Sequence, residues 1–446
     1  MPALRVYPQH SPLKGNITVP GDKSISHRAV MLAALAEGES RVRRWLPAGD
    51  TQATLQIMRA LGVEIAVAQQ PGQAGDAPAW DLQITGRGLQ GLRAPDAPLD
   101  CRNAGTCMRL LAGIMAGQRF SSILDGSAQL RKRPMGRIVE PLRTMGAQVE
   151  DDEGHAPLRI SPATLQGVTY RMPVASAQVK SAMLLAGLYA AGETRVWQPG
   201  PARDHTERML QAMGVSVKID GDWISLQPPA KGQPLQALDL VVPGDISSAA
   251  FVLVAGTIVP HSQIVVQNVG LNDTRTGLLA LLRAMGADFI TGNRQLSGGE
   301  PVGELTATFR KLHNIEVGGD LVVRGIDELP IWAVAASQAA GRSILRDATE
   351  LRVKEVDRIG RLAGELRRMG LPVTERQDGF VLEGPARPRG AEVDSFGDHR
   401  LGMALAIAGL VADSPTTIAG GDCVADSFPG FVETMQKLGA RMEWVA

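Results

Sequence analysis

The side chains best placed to do chemistry in this chain are cations set beside glycine-rich helix starts. Lys23 and Arg28 flank Ser24 and Ser26. Arg102 and Arg109 flank the Asn103–Thr106 turn. Arg131, Lys132 and Arg133 sit in RKRPMG, where Pro134 stiffens the backbone. Arg203-Asp204-His205 follows a Pro/Gly turn, and Arg400 follows His399. Arg352, Lys354 and Arg358 fall in ELRVKEVDRIG, on or entering a helix, with Lys354 and Arg358 on one face. A helix start offers unpaired N–H groups and a partial positive charge, which suit phosphate and carboxylate. Taken singly, each residue is more often a cap or a solvated charge. Their repeated placement points instead to a small polyanion, phosphorylated and carboxylated. Asp245, Ser247 and Ser248 have no basic neighbour and read as plain caps.

The elements that must position these residues repeat. A pattern of apolar, glycine, apolar recurs around Gly62, Gly146, Gly214, Gly286, Gly370 and Gly439. Each predicts a helix end, a left-handed glycine cap and then a strand. Gly286 lies 224 residues after Gly62, Gly370 lies 224 after Gly146, and Gly439 lies 225 after Gly214. Six Ala/Leu/Met/Val-rich segments form a second series and read as helices buried nearly all round. They open at Asp22, Asn103, Ser176, Asp245, Asp327 and Asp398, with half-chain offsets of 222 to 224 residues. VPGDKS at Val19–Ser24 returns as VPGDIS at Val242–Ser247. Two matched series predict two domains of three units each.

Composition narrows the function. The 446 residues suit two or three domains. Lys+Arg and Asp+Glu are 46 each, so neither nucleic acid nor an anionic membrane is expected as a bulk partner. No apolar run reaches the ~20 residues of a spanning helix, and Met1–Pro20 has no apolar signal core, so a cytoplasmic protein is expected. Cys101, Cys107 and Cys423 have no metal-ligand spacing.

The motifs GDKSISHR, NAGTCMR, RKRPMGR, SAQVKSA, RDHTE, DELP, RVKEVDR and GDHR, in this order from Gly21 to Arg400, resemble those of the 5-enolpyruvylshikimate-3-phosphate synthase family. The Ser-Ala-Gln and Arg-Asp-His-Thr-Glu wording is closer to the class II bacterial branch. The resemblance covers nearly the whole chain. It implies an α/β fold of two inverse domains, each of three βαβαββ units, with residues 21–240 forming one and residues 1–20 and 241–446 the other. The active site would lie between them. It implies transfer of the enolpyruvyl group of phosphoenolpyruvate to the 5-hydroxyl of shikimate 3-phosphate, with no metal or organic cofactor, in a monomer.

Residue by residue, the resemblance assigns Lys23, Asp327 and Glu355 to acid–base chemistry, with Asp327 as base toward the hydroxyl and Glu355 with Lys23 moving a proton to carbon. Shikimate 3-phosphate falls to Lys23, Ser24, Arg28, Ser176, Gln178, Asp327 and Lys354, with Arg203 at the phosphate. Phosphoenolpyruvate falls to Lys23, Gly105, Arg133, Gln178, Arg358 and Arg400. From the residues alone, Asp327 also reads as a helix cap and Glu355 as a partner of Lys354 or Arg358. His399 reads as a cap or an orienting group, while His27 and His205 read as structural. Asp426 stands where many relatives carry lysine, and Leu110 where many carry proline. Gly105 leaves room for glyphosate while Leu110 pulls the other way. Two alternatives share the scaffold, UDP-N-acetylglucosamine enolpyruvyl transferase and a non-catalytic phosphate-binding protein. The former uses a loop cysteine, whereas Cys107 falls inside an expected buried helix. Cations from both halves must meet around the substrates, so the halves are expected to repel until anions arrive.

Overall fold

The computed structural model describes residues 2–70 and 77–445. Met1, residues 71–76 and Ala446 belong to the expected domain spans but lie outside the described residues.

Six helices are buried on nearly every side: Lys23–Leu35, Gly105–Ala116, Ala177–Gly187, Ile246–Ile258, Leu329–Ser337 and His399–Leu410. Each starts at one of the six polar clusters. Asp22, Ser176, Asp245 and Asp398 accept hydrogen bonds from backbone N–H groups of the first turn, as N-caps do. Asp327 does not, because Glu328 precedes the Leu329–Ser337 helix and that helix has no side-chain cap. Small residues let these helices approach closely. A Cβ on Gly113 would lie 2.2 Å from the carbonyl oxygen of Ala182 in the neighbouring helix. Bulky aromatics have no room at such a crossing, which fits an aromatic content of 4%.

A second set of helices, Gly49–Ala60, Gly136–Thr144, His205–Ala212, Gly277–Ala284, Arg358–Arg368 and Phe431–Lys437, is buried on one face. Each is followed, two residues after its end, by one of the six expected glycines. All six have φ between 78° and 99°, and a strand follows each.

Six four-stranded sheets share one plan. Leu99–Asp100 runs parallel to Ser122–Asp125, which pairs antiparallel with His155–Ser161, which in turn carries Gln148–Asp152. The other five repeat this order, but three strands come from afar. Asp239–Val241 lies beside Glu37–Trp45, Lys14–Thr18 beside Gln263–Gly270, and Ala3–Val6 between Thr416–Ala419 and Met442–Val445. Two hydrophobic cores result. One draws on residues from Ile25 to Val242, and the other on Leu4 to Val19, Ile246 to Met442 and Ala77.

The chain passes between the cores twice, at the two VPGD words, and these words bond to each other. Asp22 N donates to Pro243 O at 2.7 Å, and Asp245 N donates to Pro20 O at 2.8 Å. Arg275, 3% exposed on its side chain, bridges both aspartates, reaching Asp22 at 2.9 Å and Asp245 at 3.0 Å.

One helix tests this account of its end. Gly370 has φ of 78° with only ordinary contacts for an added Cβ, whereas Gly364 in the preceding Arg358–Arg368 helix has open space. Gly370→Ala should cost about 1–2 kcal/mol from the left-handed strain alone. Gly364→Ala should gain about 0.5–1 kcal/mol from helix propensity. Thermal or urea unfolding should rank the variants Gly364→Ala, wild type, Gly370→Ala. Equal effects would mean the helix does not end where described.

Candidate active site

The starts of the buried helices converge on a cavity of about 500 Å³. Lys23, Ser24, Gly105, Arg133, Ser176, Gln178, Arg203, Asp327, Lys354, Glu355, Arg358 and Arg400 all line it. Arg28 does not. It is buried behind the wall, and donates from Nη1 to Ser24 O, from Nε to Thr206 Oγ1 and from Nη2 to Ser181 Oγ. Nine basic and six acidic side chains line the cavity. This surplus of three cations belongs to a chain of zero formal charge.

Arg358 is the hub. It opens the Arg358–Arg368 helix, where Asp357 caps Ile359 and Gly360, and it is 1% exposed. Its Nε lies 2.8 Å from the fully buried Asp398 and its Nη2 2.6 Å from Glu355 Oε2. Its Nη1 lies 3.3 Å from Asp327 Oδ1. Asp327 also meets Arg203, Lys354 at 3.8 Å and Arg400 at 3.8 Å. Burial alone would raise the pKa of Asp327, but Arg400, Lys354, Arg203 and Arg358 hold it well below the usual range. Glu355 is likewise penalised by burial and held well below by Arg358, Arg133 and Lys354. Both are carboxylates at neutral pH.

Lys23 follows the Asp22 cap and lies 2.5 Å from Asp50. Burial disfavours its charge, and the Asp50 carboxylate more than restores it, so Lys23 stays protonated. Gln178 is fixed on two sides. Arg109 donates to its Oε1 at 2.6 Å, and its Nε2 donates to Thr106 Oγ1 at 2.9 Å. Gly105 clears space for a guanidinium, since a Cβ there would sit 2.9 Å from Arg133 Nη1.

Several expectations need correction. Lys354 is not on a helix. Thr349–Val353 is a 3₁₀ turn and the helix starts at Arg358, yet Lys354 and Arg358 still meet at Asp327. Arg131, Lys132 and Arg352 do not line the cavity. Arg131 pairs with Asp125, and Arg352 with Asp357 and Glu375. Asp245 is more than a cap, because Arg275, distant in sequence, sits on it. His399 lines the cavity and its cap is Asp398, with burial holding it neutral. Arg203–Asp327, Arg133–Glu355 at 3.6 Å and Arg137–Glu350 at 3.0 Å join elements of the two cores across the cavity.

Asp50, Arg137, Arg275 and Glu350 were not singled out by sequence. Arg137 closes a quoted motif and Asp50 sits at a polar helix start, so both had a local signal. Arg275, in NDTRTG, and Glu350 had none. Cys107 is buried in the Gly105–Ala116 helix, as expected. His27 is buried against Thr54, with its pKa pushed by burial to about 3. Asp204, His205 and Glu300 place donor atoms within 4.8 Å of one another, as a metal site would. Their atoms are committed elsewhere: His205 Nδ1 to Glu300, both carboxylates to Asn272, and His205 Nε2 faces Arg275 at 3.3 Å. No helix among the described residues is long and apolar enough to cross a membrane.

Fold and cavity together define an α/β enzyme that handles small anions between two repeat-built cores. A model of the family EPSP synthase (3-phosphoshikimate 1-carboxyvinyltransferase) matches residues 8–435. The chain is 46% identical over 437 residues to the 3-phosphoshikimate 1-carboxyvinyltransferase of Brevibacillus brevis, covering 98% of this chain and 99% of that protein. It is 47% identical over 431 residues to the protein of the same name from Geobacter metallireducens, covering 96% and 97%. A solved EPSP synthase from Acinetobacter baumannii superposes with a TM-score of 0.88 at 42% identity, covering all of both chains. The chain belongs to the EPSP synthase family.

The charge balance around Asp327 is directly testable. Asp327→Ala leaves Arg203, Lys354 and Arg400 short of a counter-charge, at an expected cost of about 3 kcal/mol at neutral pH. Millimolar phosphate should recover much of it by occupying the cations. As a carboxylate with a depressed pKa, Asp327 stabilises above the unfolded value of about 4 and loses that contribution as pH falls further. The difference between wild type and Asp327→Ala should therefore shrink in acid. Thermal melts with and without phosphate at neutral and acid pH would show it, and a phosphate-independent loss would contradict it.

Proposed function

We propose that the protein transfers the enolpyruvyl group of phosphoenolpyruvate to the 5-hydroxyl of shikimate 3-phosphate, giving 5-enolpyruvylshikimate 3-phosphate and phosphate. The observation that carries this reading is the pair of ionised carboxylates, Asp327 and Glu355, sharing Arg358 in a cavity with surplus cations. Binding anions alone needs cations, and two unprotonated acids would weaken it. Family membership supplies the substrates.

Lys23, Ser24, Ser176, Gln178, Arg203, Asp327 and Lys354 would hold shikimate 3-phosphate, with Arg28 acting from behind the wall. Lys23, Gly105, Arg133, Gln178, Arg358 and Arg400 would hold phosphoenolpyruvate. Asp327, a carboxylate at neutral pH, takes the proton of the 5-hydroxyl as its oxygen bonds to C2 of phosphoenolpyruvate. C3 gains a proton, giving a tetrahedral intermediate. Loss of phosphate from C2 and of a proton from C3 then regenerates the double bond. Lys23 is the protonated group at hand. Glu355 becomes a proton carrier once phosphoenolpyruvate takes Arg133 and Arg358 from it, because the cations that depress its pKa are then neutralised. Residues 21–240 would form one domain, and residues 1–20 with 241–446 the other, a division supported by the two cores. The polypeptide is expected to work as a monomer without metal or cofactor.

Phosphate release should require shikimate 3-phosphate, and UDP-N-acetylglucosamine should not replace it. Lys23→Met, Asp327→Asn and Glu355→Gln should each lower kcat by about 10²–10⁴-fold. Release only with the nucleotide sugar, or near-normal turnover in Lys23→Met, would refute the reading.

A further inference from the structure

Two quoted motifs, SAQVKSA and RDHTE, each contain a charged residue with no part in the chemistry above. Lys180 and Glu207 are both 1% exposed on their side chains, and Lys180 Nζ lies 2.6 Å from Glu207 Oε1. Burying such a pair is costly, and stability alone is weak reason to keep it. Its surroundings suggest another reason. Lys180 Nζ also donates to Gln198 Oε1 at 2.9 Å and to Ala202 O at 3.3 Å. Ala202 and Arg203 line the cavity. A sequence neighbour of each residue forms a second bridge, Ser181 Oγ to Thr206 Oγ1 at 2.7 Å, and Arg28 donates to both hydroxyls.

Arg28 is the key to the charge balance. It is 3% exposed and all its described hydrogen bonds go to neutral oxygens. Burial lowers its pKa to about 10, with Glu207 the carboxylate that most supports its charge and Arg203 opposing it. Glu207 Oε2 has no hydrogen-bond partner among the described residues. Arg28, Lys180 and Glu207 thus sum to one positive charge beside Arg203, which is left for an anion.

We propose that Lys180 and Glu207 form a positioning pair for the phosphate end of the shikimate 3-phosphate site. Lys180 holds the Ala202–Arg203 wall in place and keeps the Glu207 carboxylate from neutralising Arg28. This rests on the functional reading above. Neither residue touches the reacting atoms.

The sign of the charge separates this role from plain scaffolding. Lys180→Met frees Glu207 to pair with Arg28, so KM for shikimate 3-phosphate should rise about tenfold or more, while KM for phosphoenolpyruvate and kcat change far less. Glu207→Gln removes the competing carboxylate, and KM for shikimate 3-phosphate should stay within about threefold of wild type. The double variant Lys180→Met/Glu207→Gln should recover to within about threefold. Thermal melts establish that each variant is folded. Equal losses for both substrates, a loss in Glu207→Gln matching that in Lys180→Met, or no recovery in the double variant would each overturn the proposal. If Lys180→Met does not fold, the other two variants decide, and a tenfold rise in either overturns it. Wild-type protein without turnover would instead refute the functional reading. The same ordering is then expected in calorimetric binding of inorganic phosphate, and its absence overturns the pair's role.

Discussion

A guanidinium excluded from water must find its counter-charges inside the protein, and Arg358 finds three. Asp398 takes one edge, Glu355 and Asp327 the other. This arrangement fixes much else. Asp398 also caps the His399–Leu410 helix, so the hub sets where Arg400 leaves that helix and reaches the carbonyl of Asp327. Glu355 passes the constraint across the cavity to Arg133, and its carbonyl accepts from Gln129 Nε2. The two carboxylates are held ionised by the same cations that an anionic substrate would use. Substrate binding and acid–base state are therefore one electrostatic problem, in which an arriving anion changes the protonation preference of the groups that must act on it.

Much of the fold was legible because its signals are local and steric. A left-handed residue after a helix disfavours any Cβ, so Gly62, Gly146, Gly214, Gly286, Gly370 and Gly439 marked six helix ends in the sequence. Asp22, Ser176, Asp245 and Asp398 marked helix starts because a short side chain must answer the first N–H groups. The pairing of distant strands was not legible. Nothing in Lys14–Thr18 or Asp239–Val241 names the partner each meets.

The site divides in the same way. Cations next to a helix start were found, whereas Arg275 reaches Asp22 and Asp245 from over 250 and 30 residues away in the chain, with no periodic signal. Lys354 was placed on a helix because its spacing to Arg358 fits one. Asp357 starts the helix later by capping Ile359 and Gly360, and the extended backbone at Lys354 brings its amine to Asp327 instead. The repeated VPGD word was visible, but its meaning was not. The two copies lie against each other where the chain crosses between cores.

The placement of Ala3–Val6 sets an order of assembly during synthesis. This strand lies between Thr416–Ala419 and Met442–Val445, so it leaves the ribosome long before either partner and must wait for both. Residues from Ile25 to Val242 can gather their core long before that. At about 5–20 residues per second the delay is tens of seconds. Through that interval an apolar strand edge is without its neighbours. The nascent chain is then exposed to chaperones at this waiting strand, and the core already gathered is the platform against which the later one closes.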